Sequence, residues 1–164
     1  MRNHAELPKV IFLTHMSLPV DAEWIAEFNE VETRFPAKDQ LAVYLASLQS
    51  RPAGRVSVLI DRGPVRGLQG LLGHKRDVVS CFSLEWDGAY ASLIFHDEEW
   101  SEYRAIDHER PVWPTDDERG KVAQGELTPP PPEECLGKAR AFAAIRDFLH
   151  IGARPGWLFY NYVP

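Results

Sequence analysis

The sequence predicts an α+β fold: a mostly antiparallel sheet with helices packed on one face, and a C-terminal helix followed by a final strand. Three observations point there. The middle of the chain is a series of short apolar/polar alternations broken by turn residues. Two stretches carry apolar residues at helical spacing. An aromatic run then follows the second helix after a clear stop signal. Strands, a helix and a last strand in that order favour helices segregated to one side of a sheet.

Taken in order, residues 9–16 read as a first strand. Asp21 is a candidate N-cap for a short helix carrying Trp24, Ile25 and Phe28 on one face. Pro36 restarts the chain, and Leu41, Tyr44, Leu45 and Leu48 at i, i+3, i+4, i+7 spacing predict a second helix. Arg51-Pro52-Ala53-Gly54 ends it. Residues 55–61 read as a strand in which Val56, Val58 and Ile60 alternate, and residues 65–72 are a further candidate. Residues 77–86 and 89–96 flank Asp87-Gly88, a hairpin signal. Residues 100–106 add one more strand, and an antiparallel meander is the natural arrangement.

Residues 107–132 hold Pro111, Pro114, Gly120, Gly125 and the run of prolines at 129–132, and read as a long loop. A helix over 133–151 comes next. Glu133 and Glu134 are expected in its first turn, where negative charge favours the dipole. Phe142, Ile145 and Leu149 face one way, with Ala141 and Phe148 beside them. Gly152 suits a C-terminal cap and Pro155 prevents continuation. Residues 157–163 close the chain as an aromatic strand. The whole reads as one domain over 1–164: strand and helices in 9–50, sheet in 55–106, loop in 107–132, helix in 133–151, strand in 157–163.

Composition bounds the function. A chain of 164 residues with 45% apolar and 26% charged residues builds one soluble domain with a real core. The net charge of −6 argues against nucleic-acid binding, which needs lysine and arginine to displace counterions, and suits a basic partner. Cys81 and Cys135 form no CxxC pair and read as two reduced core thiols. The apolar run at 10–13 is too short for a signal segment or a membrane span, so a cytoplasmic location is expected.

Chemistry-bearing motifs fail one by one. Gly67, Gly70 and Gly73 precede His74-Lys75, but a phosphate loop needs GxxxxGK followed by serine or threonine, and Arg76 stands where the hydroxyl belongs. Turn glycines are the better reading. His96, Asp97, Glu99, Asp107 and His108 are metal-ligand types without the spacing of a known box. No GxSxG elbow exists. Neither a catalytic residue, a metal nor a cofactor is expected, and the chain reads as a binder, not an enzyme.

One feature does stand out. Residues 96–118 hold nine acids (Asp97, Glu98, Glu99, Glu102, Asp107, Glu109, Asp116, Asp117, Glu118) against Arg104 and Arg110, a window charge of −7 that exceeds that of the whole chain. Trp100, Tyr103 and Trp113 are interleaved. Aromatic anchors supply buried area at protein interfaces, and surrounding charge steers encounter. The candidate interface is therefore Asp97, Glu98, Glu99, Trp100, Glu102, Tyr103, Trp113, Asp116, Asp117 and Glu118. The alternative is a solvated loop with two tryptophans turned into the core.

Residues 132–155 run Pro-Glu-Glu-Cys-Leu-Gly-Lys-Ala-Arg-Ala-Phe-Ala-Ala-Ile-Arg-Asp-Phe-Leu-His-Ile-Gly-Ala-Arg-Pro. This alanine-rich helix with a phenylalanine-leucine pair and a Gly-x-Arg-Pro turn resembles the C-terminal signature of the first-described immunity family of bacterial polymorphic toxin systems. Trp86-Asp87-Gly88-Ala89-Tyr90-Ala91-Ser92-Leu93 looks like that family's central hairpin. The resemblance implies a partner: a cognate toxin domain, basic and nucleic-acid-acting (a deaminase or nuclease), whose active site is occluded. The acidic charge and the short apolar run make direct contact with nucleic acid or membrane unexpected. Gly152, Arg154 and Pro155 also have a purely structural account as a helix stop. A generic protein-binding adaptor, and a small metal-dependent hydrolase using His96 and His108, are the competing readings. Oligomeric state is open, although an exposed aromatic terminal strand can pair at a sheet edge.

Overall fold

A computed structural model describes residues 22–65, 76–108 and 136–163. Its elements in chain order are β1 (Glu23–Phe28), β2 (Val31–Phe35), α1 (Lys38–Leu48), β3 (Ala53–Asp61), β4 (Val78–Asp87), β5 (Tyr90–His96), β6 (Glu102–Ile106), β7 (Leu136–Gly137), α2 (Lys138–Ile151) and β8 (Phe159–Val163). The fold is α+β, with an antiparallel sheet ordered β2-β1-β3-β4-β5-β6-β8 and β7 attached to β5. Both helices pack into one core with the sheet, and β8 follows the last helix. No helix among the described residues is long and apolar enough to cross a membrane.

Most expected elements are present, with three changes. Residues 23–28 form a strand, not a helix. Trp24, Ile25 and Phe28 fit a helical face, but Trp24, Ala26 and Phe28 also fit a period of two, and pairing decides. Trp24 lies opposite Ile60, Ala26 opposite Val58 and Phe28 opposite Val56. The turn to β2 is Asn29-Glu30, both at positive φ (46° and 70°), the backbone of a tight hairpin. Secondly, α2 starts at Lys138, so Glu133 and Glu134 are not in its first turn, which holds no acid. Leu136–Gly137 pairs with Ala91 and Tyr90 instead. Thirdly, Trp100 belongs to a turn and β6 begins at Glu102. The strand expected over 9–16, all but Val65 of the candidate over 65–72, residues 109–132, Glu133, Glu134 and Cys135 lie outside the described residues; Val65 is in no strand.

The helix-covered face is built by cross-strand pairs on alternate residues. Val56 faces Leu84, Val58 faces Phe82, Phe82 faces Phe95, Leu84 faces Leu93 and Trp86 faces Ala91. Each is buried. α1 contributes Leu41, Leu45 and Leu48, and α2 contributes Phe142, Ile145, Phe148 and Leu149. A β-bulge shifts the register between Val58/Leu59 and Phe82/Ser80, which leaves Cys81 as the extra residue, buried in the core.

The far end of β3 is held by charge. Asp61 is fully buried and accepts hydrogen bonds from Arg76 Nε (2.5 Å), Arg34 Nη1 (3.1 Å) and the Gly63 N–H (3.0 Å). Burial alone raises its pKa. The Arg76, Gly63 and Arg34 bonds outweigh burial and leave it below the usual carboxylate value.

At the near end, Gly54 permits a close approach. A Cβ there would sit 2.6 Å from the Phe28 ring and 2.7 Å from the Trp86 ring, which stack at 6.0 Å between centroids. Both rings have further neighbours: Trp86 donates to the Arg51 carbonyl at 3.0 Å and meets Phe142 edge-on, and the Arg51 guanidinium lies over the Phe28 ring at 5.2 Å. Gly54→Ala should therefore destabilise the chain by about 1–3 kcal/mol, the usual cost of overpacking. Urea denaturation followed by tryptophan fluorescence checks this; an unchanged midpoint would mean the rings can move apart.

Candidate functional site

The acidic corner is the connection from β5 to β6. The Asp97 N–H donates to the Ser101 carbonyl (3.1 Å), and the Trp100 N–H donates to the Asp97 carbonyl (3.1 Å). The Asp97 side chain stiffens the loop from within. Its Oδ1 accepts from the Glu99 N–H (2.9 Å) and the Ser101 N–H (2.8 Å), and its Oδ2 accepts from the Tyr103 hydroxyl (3.3 Å). An aspartate satisfying its own turn is a strong local determinant.

The turn ends in a left-handed residue, a position that glycine normally fills in hairpins of this length. Here it is Trp100, with φ of 65°. A bulky residue in that region costs on the order of 1–3 kcal/mol. The residue is also 63% exposed, so packing offsets little of the strain. Glu98 and Glu99 beside it are exposed, and the Glu102 side chain is 43% exposed.

The ten residues singled out from the sequence thus separate. Asp97, Glu98, Glu99, Trp100 and Glu102 come together at one corner. Tyr103 adjoins it but is half-buried beneath the Arg154 guanidinium, 3.8 Å from its ring centroid. Trp113, Asp116, Asp117 and Glu118 lie outside the described residues, as does Glu109. Asp107 is no part of an exposed belt. It is buried and accepts from Arg140 Nε at 2.6 Å, which ties β6 to α2. The charge at the corner is also partly answered: Arg62 Nη1 lies 3.9 Å from Glu98, while Arg62 Nε pairs with Asp77 at 2.9 Å.

Arg154, treated in sequence as part of a helix stop, has a second position in the fold. Gly152 does cap α2, at φ of 76° with its N–H on the Phe148 carbonyl. The Arg154 guanidinium lies over Tyr103 and, at 5.0 Å, over Tyr160. Among the described residues, its Nη1 is buried without a hydrogen-bond partner. A narrow cleft behind the corner is lined by Arg154, Tyr103, Asp97, His96, Cys81 and Phe148 among others. Burial pushes the Cys81 thiol up to about 12, so it stays protonated at neutral pH and is a poor nucleophile. Among the described residues, no three His, Cys, Asp or Glu side chains converge to hold a metal ion.

His96 borders the same cleft, 3.4 Å from the Ser83 hydroxyl and 3.9 Å from Glu102. Burial lowers its pKa, and the nearby Glu102 and Asp97 carboxylates only partly oppose this. The fold therefore favours the neutral ring. The unfolded chain takes up the proton first as pH falls below the ordinary 6.5, so this contribution to stability is present above that value and lost as pH falls through the folded pKa. Wild type should lose more stability than His96→Gln between pH about 6.5 and 5. Parallel denaturation curves for the two proteins across that range would contradict it.

No family model, no curated protein and no solved structure matches the chain.

Proposed function

We propose that this chain is an immunity protein, which acts by binding rather than catalysis. It neutralises a cognate bacterial toxin domain of basic, nucleic-acid-acting character by covering that domain's active site with the acidic corner. The supporting observation is Trp100: an exposed tryptophan held in a left-handed backbone, on a turn with four carboxylates in six residues. A position that breaks a local rule with little packing in return is where function is expected. Tryptophan is among the residues enriched at interface hot spots, and acids around it match a surface evolved to hold phosphates.

The corner suits this task physically. Asp97 fixes the turn through three hydrogen bonds, so little ordering is left to be done on binding. Glu98, Glu99 and Glu102 supply charge that accelerates encounter with a basic cleft. The resemblance of the α2 segment and the β4–β5 hairpin to the immunity family points to the same kind of partner. Residues Gly152, Arg154 and Pro155 carry that resemblance through packing, and the binding role falls to the corner.

Trp100→Gly separates binding from stability. Relief of the left-handed strain should leave stability unchanged or raise it by up to about 1 kcal/mol. Loss of the anchor should cost about 2 kcal/mol of binding, roughly thirtyfold in affinity. Co-expression with the toxin domain encoded beside the chain, scored for survival and co-purification, reads the second effect; thermal melts read the first. Full protection by Trp100→Gly together with Glu98→Lys and Glu99→Lys would remove the corner from the interface.

A further inference from the structure

We propose that β8 is a dimerisation edge, where two copies of the chain pair antiparallel about Asn161 and join their sheets into one. β8 is the last strand on its side of the sheet among the described residues. All five of its residues pair with β6 on the inner side. An edge strand presents unpaired N–H and C=O groups on its outer side, and soluble proteins normally protect such edges with charge, proline or a covering element.

The two edges of this sheet are treated differently. β2 carries Glu32 and Arg34, which pair with each other at 2.8 Å, and Arg34 also reaches Glu23 and Asp61. β8 reads Phe-Tyr-Asn-Tyr-Val, without a single charge in a chain of net charge −6. Phe159 is 56% exposed and Tyr162 is 61% exposed. Among the described residues, the edge without charge is also the aromatic one.

The order of residues in β8 names the occupant. It is nearly palindromic about Asn161. Antiparallel pairing of two copies there sets Tyr160 opposite Tyr162 of the second copy, Phe159 opposite Val163, and the two Asn161 side chains opposite each other. Aromatic and aromatic–β-branched pairs across strands are favourable. The charge layout selects the same orientation. Glu102 pairs with Val163, so the acidic corner adjoins the C-terminal end of β8, whereas the Phe159 end lies beside Ile106 and the Asp107–Arg140 ion pair. Antiparallel pairing sends the two acidic corners to opposite ends of the dimer, and parallel pairing would bring them together. Both corners stay open, so the dimer does not depend on the proposed toxin reading.

Sedimentation velocity on the full chain, from about 10 to 300 µM, tests this, since an interface of one strand pair belongs to the small, weak class. Wild type should pass from the 18.6 kDa monomer to a species of twice that mass as concentration rises. Asn161 is exposed, so Asn161→Lys and Asn161→Asp should fold normally, with melting curves as the control. Each alone should remain monomeric, because like charges face across the twofold axis. A one-to-one mixture should associate at least tenfold more tightly than either variant alone. Wild type that stays monomeric throughout, single variants that dimerise as wild type does, or a mixture no tighter than its components would each overturn the proposal.

Discussion

The seating of α2 on the central strands is the constraint on which the rest depends. Phe148 lies edge-on to Phe82 at 5.7 Å and against Phe95 at 5.2 Å, while Phe142 meets Trp86 at 5.2 Å. Three aromatic contacts along one helix fix its position and rotation on the sheet, each adding about 0.5–1.5 kcal/mol beyond simple burial. Both ends are then tied down. The Lys138 N–H donates to the Ala89 carbonyl at the β4–β5 turn, and Gly152 closes the last turn. The Arg140–Asp107 pair holds the helix to the end of β6, and Arg140 also stacks over Trp157, which donates to Asp147.

Because α2 is fixed, the chain leaves it at one place, and the outer third of the sheet follows. Arg154 reaches over Tyr103 and Tyr160, which locks β6 and β8 beneath the helix exit. Tyr103 in turn donates to Asp97. A continuous path of contacts thus runs from the aromatic core through Arg154 and Tyr103 to the turn that carries Trp100. The strained tryptophan is tied by side-chain contacts to the core. Under the proposed function, the same path makes the corner ready to bind without rearrangement.

What the sequence made legible was local. The periodicity of Leu41, Leu45 and Leu48, the Asp87-Gly88 hairpin and the Gly152 stop all rest on neighbours within a few positions, and each appears in the fold. What escaped was set by distant partners. Residues 23–28 are ambiguous between a helix and a strand until β3 lies beside them, and Asn29-Glu30 is a weak turn signal without glycine. Asp107 counts as one more surface acid until Arg140, 33 positions on, buries it. Asp61 gave no signal at all, because Arg34 lies in β2 and Arg76 just ahead of β4, both distant in sequence. At the corner, the cluster from Asp97 to Glu102 was visible as charge. The left-handed backbone of Trp100 was not, since it arises from the side chain of Asp97 and the lengths of the flanking strands.

Hydrogen–deuterium exchange on the chain, with and without the toxin domain encoded beside it, tests the central claim most directly. Binding through the corner predicts added protection at residues 97–102, with the outer face of α1 around exposed Val43 unchanged. Protection gathered on α1 and α2, with residues 97–102 exchanging as in the free chain, would contradict it.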